Sequence, residues 1–277
     1  MTNEPTSYPI SLAQWSLHRT IRAGELDPLD FAKMTREEWN IGGVEYVNTF
    51  FKDKVSDQAY IGELKKRADD HGVKSLLIMI DNEGHMGAVD ERELQQTIEN
   101  HRRWLEAARQ LGCHSIRVNA QSEGTPDEQR DRCTKGFHAL MEHADEMDMN
   151  VLIENHGGLS SNGDWLASLI KHVDHPRLGT LPDFGNFILD WDTGESYDRY
   201  LGMSELIPFA HALSAKSHDF DQNGNETGTD YERMLGIARA AGYDGWVGIE
   251  YEGETLSERD GITRTLELLV HHGCHTT

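Results

Sequence analysis

Short apolar runs alternate along this chain with longer stretches whose apolar positions recur every third or fourth residue. The first pattern predicts buried strands and the second amphipathic helices. In the second half the apolar runs share a further feature, because each ends in polar groups. Asn150-Val-Leu-Ile-Glu154-Asn-His156 is followed by Leu178-Gly-Thr-Leu-Pro-Asp183-Phe-Gly-Asn186, then by Leu213-Ser-Ala-Lys216-Ser-His218, and last by Trp246-Val-Gly-Ile-Glu250-Tyr-Glu252-Gly253. Consecutive βα units present the C-terminal ends of their parallel strands on one face, so these side chains are predicted to gather there.

The first half repeats the rhythm. Strands are predicted at 10–15, 43–48, 73–80 and 113–119. Helices are predicted at about 27–39, where Asp27 caps and Pro28 takes the first helical position, from a cap at Ser56 to Gly72, at 91–111, and onward from Pro126. Four more follow near 164–172, 196–201, 231–241 and 257–271. The helix-Gly-strand junctions His71-Gly72-Val73, Leu111-Gly112-Cys113 and Ala241-Gly242-Tyr243 suit closely spaced βα units. No linker or low-complexity tract interrupts the series. Eight strands alternating with helices predict one α/β domain over residues 1–277, a single (β/α)8 TIM barrel rather than a doubly wound sheet.

Composition narrows the function classes. A net charge of -22 over 277 residues argues against nucleic acid and against anionic membrane surfaces as partners. The three cysteines, Cys113, Cys133 and Cys274, form no Cys-x-x-Cys pair, so neither a disulfide framework nor a zinc knuckle is expected. The N-terminal residues lack a basic segment leading into an apolar one, so no secretion signal is expected. The longest apolar run, 76–80, is far too short to span a bilayer, and the expected location is cytoplasmic. Glycine-rich dinucleotide and phosphate loops, the Gly-x-Ser-x-Gly elbow and His-Glu-x-x-His are all absent.

The strand-end residues carry the candidate chemistry. Glu154, Asp183 and Glu250 each sit at the mouth of an apolar strand, where a carboxylate needs a partner or a metal. Period-two alternation puts Ser214, Lys216 and His218 on one face, and Gly248, Glu250 and Glu252 on another. His218 is placed to reach a metal. Lys216 is placed to stabilise a developing oxyanion or a phosphate, or to pair with a glutamate. His156, Arg117 and Asn119 are candidate substrate contacts, and Trp15 with His18 a candidate aromatic wall for a sugar. His271, His272 and His275 are expected to be frayed surface residues. The strand-end loops and the segment around Trp191 suit a homodimer.

The series Ile-Glu154-Asn-His, Pro-Asp183-Phe-Gly-Asn, Ala-Lys216-Ser-His and Gly-Ile-Glu250-Tyr-Glu-Gly resembles the xylose isomerase-like TIM-barrel superfamily. Within it, the chain is similar to the sugar phosphate isomerase/epimerase group, which includes ketose 3-epimerases and inosose dehydratases. The resemblance implies a small-molecule sugar substrate and one divalent ion, manganese, magnesium or cobalt, with zinc also compatible. It carries Glu154, Asp183 and Glu250 over as metal ligands, with Glu154 and Glu250 also moving protons. The family's metal histidine falls where this chain has Ser214, so His218 is assigned as its substitute. Asn186 stands where the 3-epimerases have a substrate-binding histidine. The implied activity is isomerisation or epimerisation by proton transfer next to a carbonyl, through an enediolate. The alternatives are a dehydratase or ketoglycoside lyase on the same site, or a noncatalytic sugar-binding barrel that has lost its metal.

Overall fold

The structure, a computed structural model, describes residues 7–277. The segment in which no secretion signal is expected lies mostly outside the described residues. Eight parallel strands form the barrel: β1 (Ile10–Ala13), β2 (Gly43–Val47), β3 (Lys74–Met79), β4 (Ser115–Asn119), β5 (Asn150–Glu154), β6 (Leu178–Leu181), β9 (Leu213–Ser217) and β10 (Val247–Tyr251). β7 (Ile188–Asp190) and β8 (Glu195–Ser196) form a separate antiparallel hairpin. The hydrogen-bonded order is β6-β5-β4-β3-β2-β1-β10-β9. Between β6 and β9 the ring closes through isolated bridges, Thr180 with Ala210 and Asp183 with Ser214. Ser214 N donates to Pro182 O at 3.0 Å and Phe184 N to Ser214 O at 3.0 Å. The seam that closes the barrel therefore also sets two site positions side by side.

Strand alternation divides the apolar residues into two bodies. Outward residues such as Ile10, Val44, Ile78, Ile116 and Val151 pack under the helices in the larger core. Inward residues make a small cluster of Ala13, Val47, Leu77, Met79, Leu152, Leu181 and Ala212. Other inward positions are polar and buried, among them Ser11, Glu45, Arg117 and Ser214. A barrel interior filled this way is a packed core whose upper layers are charged.

The helices follow the periodicity: α1 (His18–Arg22), α2 (Phe31–Trp39), α3 (Gln58–Asp70), α4 (Glu91–Leu111), α5 (Pro126–Met147), α6 (Gly163–Val173), α7 (Arg199–Leu206), α8 (Tyr231–Ala240) and α9 (Glu258–His271). Thr125 and Glu128 cap the start of α5 reciprocally, with Pro126 at its first position. Gly112, at φ 84°, ends α4 in a left-handed turn that a β-carbon would strain. Several local expectations are corrected. Asp57, not Ser56, caps α3, because its carboxylate accepts from Tyr60 N at 3.0 Å. The helix expected at 196–201 begins later, since the hairpin occupies the preceding residues. The C-terminal tail is tied down, with Ile10 N donating to His275 O and His275 N to Tyr8 O, both at 2.9 Å. No helix among the described residues is long and apolar enough to cross a membrane.

Candidate active site

Three carboxylates converge where β5, β6 and β10 end. Glu154, Asp183 and Glu250 are buried, and each offers an oxygen within 4.8 Å of the other two. Above them opens a cavity of about 680 Å³. Register explains the meeting: Glu250 pairs with Lys216 across β10 and β9, Glu154 with Asn119 across β5 and β4, and Asp183 bridges to Ser214 at the seam.

Asp183 is the most constrained. Its Oδ1 accepts from the backbone of Gly185 and Asn186, both at 2.8 Å, and its Oδ2 from Ser214 Oγ at 2.6 Å. Ser214 Oγ also lies 2.8 Å from Glu250 Oε2. A hydroxyl has one hydrogen, so it serves only one of the two carboxylates. The other contact needs a second proton or a nearby cation.

Glu154 is held by Asn186 Nδ2 at 3.0 Å on one oxygen. The other, Oε2, is 2.8 Å from Arg117 Nε but at angles that form no hydrogen bond, and it is left without a partner. Arg117 is instead committed to Asp81, with Nη1 donating to Oδ1 at 2.7 Å. Burial works against the ionised Asp81, and the Arg117 guanidinium overrides it, holding Asp81 below the usual carboxylate range. Lys216 is buried, its Nζ 3.0 Å from Glu252 Oε1, 3.4 Å from Glu250 Oε1 and 3.8 Å from Asp183 Oδ2. Gly185 makes room for it, because a β-carbon there would stand 2.8 Å from Lys216 Cγ.

Charge in this region is unbalanced. Among the described residues, buried Glu45, Glu154, Asp183 and Glu250 face two buried cations, Arg117 and Lys216, which Asp81 and Glu252 also share. Burial, against the pull of Arg117, pushes Glu154 up to about 7. Burial likewise pushes Asp183 up to about 7, with Lys216 opposing and the two glutamates adding. Glu45, below the triad and hydrogen-bonded by Ser11 Oγ at 2.6 Å, is also raised by burial to about 7. Excess buried negative charge, oxygen-only donors and an unpartnered oxygen on Glu154 all fit a hard divalent cation.

The other predicted positions divide. Arg117, Asn119, His156, Asn186, Lys216 and Trp15 line the cavity. His218 does not join the carboxylates. β9 ends at Ser217, and the His218 side chain turns out to 51% exposure, its Nε2 3.8 Å from Glu252 Oε2. His18 does not line the cavity either; its ring stacks on Trp15 with centroids 4.9 Å apart, and Nδ1 lies 2.8 Å from Trp15 O.

Sequence reasoning missed Asn155. Its Nδ2 donates to Asp183 O at 3.0 Å and Asn186 O at 2.9 Å, while its Oδ1 accepts from Asp183 N at 2.8 Å. Three bonds from one buried amide fix the β6 loop. The available signal was a polar residue directly after Glu154 on the outward face. Glu45 was passed over as a strand residue, although a carboxylate in the run Gly43-Val-Glu45-Tyr-Val is the same anomaly that singled out Glu154.

A closed βα barrel with a cavity and clustered carboxylates at its C-terminal strand ends defines the class. The chain belongs to the xylose isomerase-like TIM barrel family, whose model matches residues 37–271. No curated protein sequence matches it. Solved structures of similar fold include the apo form of 3-keto-D-glucoside 4-epimerase YcjR from E. coli, at 15% identity over 96% of this chain and 100% of that one, with a TM-score of 0.71. The probable 3-DHS dehydratase AsbF from Bacillus anthracis aligns at 18% identity over 95% and 98%, with a TM-score of 0.68. A xylose isomerase-like TIM barrel protein from Mycobacterium smegmatis in complex with magnesium aligns at 17% over 96% and 97%, with a TM-score of 0.64. At these identities the likeness is one of fold.

Proposed function

We propose that the protein is a divalent-metal-dependent sugar isomerase or epimerase that moves a proton on a carbon next to a carbonyl. The observation that carries this reading is the convergence of Glu154, Asp183 and Glu250 beneath the cavity. These three residues would hold the ion, and their oxygen donors suit magnesium or manganese better than a softer metal. The ion's chemistry there is polarisation of the substrate carbonyl, which acidifies the neighbouring C–H.

The chain's own groups do the rest. Glu154, at the end of β5 beneath the cavity, is the base that removes the proton. Asn186 and Arg117 orient it. Lys216 Nζ, held among carboxylates, lends positive charge to the oxygen that becomes negative. Glu250, on the far side of the triad, returns a proton: to the same carbon for epimerisation, or to its neighbour for isomerisation. His156 and Asn119 are placed to hold substrate hydroxyls from the cavity wall.

The test is solvent deuterium incorporation, followed by NMR, with metal-loaded protein and a panel containing a ketohexose and a 3-keto-D-glucoside. At least one substrate should take up deuterium next to its carbonyl, and Glu154→Gln should slow this by about 10²–10⁴-fold. No exchange across the panel, or undiminished exchange in the variant, would overturn the reading. Loss of a β-substituent accompanying exchange would place the chemistry with the dehydratases and lyases.

A further inference from the structure

The cavity is larger than the carboxylate triad explains. About 680 Å³ falls mid-range for pockets that enclose drug-sized ligands, roughly 300–1,000 Å³. One sugar ring over Glu154, Asp183 and Glu250 would fill only part of it. The rest is walled by polar residues after β2, β3 and β4, in which the uncharged Thr49, Asn82 and Gln121 stand beside the charged Asp81 and Glu83. Such groups suit hydroxyls.

Two tryptophans line this cavity, Trp15 and Trp191. Trp15 is already covered: His18 stacks on it at 4.9 Å, Phe50 at 5.9 Å, and the Arg22 guanidinium sits 4.9 Å from its ring centroid. Trp191 is the reverse. It sits on the β7–β8 hairpin, is 71% exposed, and has no aromatic or cation partner among the described residues. Its indole Nε1 hangs beside Gly157, where a β-carbon would stand 3.3 Å away. An unpartnered indole at the mouth of a polar cavity presents an uncovered apolar face to whatever enters it.

We propose that Trp191 is the stacking platform for a second ring, so that the ligand is a two-ring glycoside rather than a free monosaccharide. This rests on the proton-transfer reading for the first ring. The ketone-bearing ring lies over the triad, and its glycosidic partner lies against the indole. Trp191 acts as a specificity residue and touches no reacting atom.

The experiment compares methyl 3-keto-D-glucopyranosides with 3-keto disaccharides, α- and β-linked, by isothermal titration of the magnesium- or manganese-loaded protein. At least one disaccharide should bind about tenfold more tightly than the matching methyl glycoside. Trp191→Ala should abolish that advantage, and Trp191→Phe should keep part of it. Affinity for the methyl glycoside should stay within twofold in both variants. Equal affinities in the wild type, no binding by any disaccharide, or an advantage that survives Trp191→Ala would each overturn the proposal. So would a change of oligomeric state in Trp191→Ala, by analytical ultracentrifugation, with the affinity ratio intact, since the indole would then serve a second copy of the chain. Deuterium exchange, measured on the same samples, reports the underlying reading separately. A disaccharide advantage without exchange keeps the second-ring site and removes the proton transfer; exchange with equal affinities does the opposite.

Discussion

Ser214 concentrates the site's chemistry in one hydroxyl. It lies 2.6 Å from Asp183 Oδ2 and 2.8 Å from Glu250 Oε2. The hydroxyl thus lies between two carboxylates and can donate to only one of them, and the side-chain donors gathered there are all oxygen. His218 does not reach the carboxylates, and the reason is local. Alternation puts Ser214, Lys216 and His218 on one face only while the strand lasts, and β9 stops at Ser217. The chain then turns so that His218 N lies 3.3 Å from Glu226 Oε1, and the ring faces solvent. His218→Ala is therefore expected to leave divalent-metal affinity within about twofold, while Glu250→Gln lowers it by more than tenfold; titration calorimetry with manganese distinguishes the two. Equal losses in both would return His218 to the site. The carboxylates themselves were legible because a charged residue ending an apolar strand is anomalous, whereas the turn after Ser217 depends on Glu226, eight residues away, and leaves no mark at His218.

Among elements, the β6 loop decides the geometry of the site, and a neighbouring strand decides the loop. β6 is short, and Pro182, which has no N–H to donate, follows it directly. Pro182 O still accepts from Ser214 N, and Phe184 two residues on supplies the donor to Ser214 O that proline lacks. Asn155, just past β5, then fixes Asp183 and Asn186 through three hydrogen bonds. Removing that amide leaves buried backbone groups unpaired, so Asn155→Ala should destabilise the fold by about 3 kcal/mol in a denaturant titration. It should also weaken metal binding by roughly 10–100-fold, because Asp183 loses its anchor. Unchanged affinity in a destabilised variant would show that Asp183 is held by its own turn alone. The eight strands and their helices were legible because apolar runs, caps and glycine junctions all act within a few residues of themselves. The β7–β8 hairpin was not: its strands are only three and two residues long, partly exposed, and carry no apolar alternation.

For the molecule as a whole, charge links folding to pH. Glu45, Glu154 and Asp183 are each raised by burial to about 7, so between their ordinary range and 7 the folded state binds protons that the unfolded chain has released. Stability from these groups is full below about pH 4 and is lost as pH climbs to 7. Metal-free protein should accordingly melt at a lower temperature at pH 8 than at pH 5. Glu45 isolates the effect, since it lies below the triad and is not among its metal-competent oxygens. Its displacement from 4.5 to about 7 corresponds to roughly 3 kcal/mol. Glu45→Gln keeps an acceptor for Ser11 Oγ and removes the charge, so the variant should lose less stability across pH 5–8 than the parent. A divalent cation acts on the other carboxylates: it binds their ionised forms, so at a hundred times its Kd it adds about 2.7 kcal/mol at pH 8 and far less at pH 5, where protons compete. Melting curves at both pH values, with EDTA or with manganese, decide the matter. Parallel melting curves for the parent and Glu45→Gln across pH 5–8 in EDTA, a comparison that cancels the opposing gain from buried His101, would mean that Arg117 and Lys216 already neutralise the barrel interior, and its buried charge would then call for no bound cation.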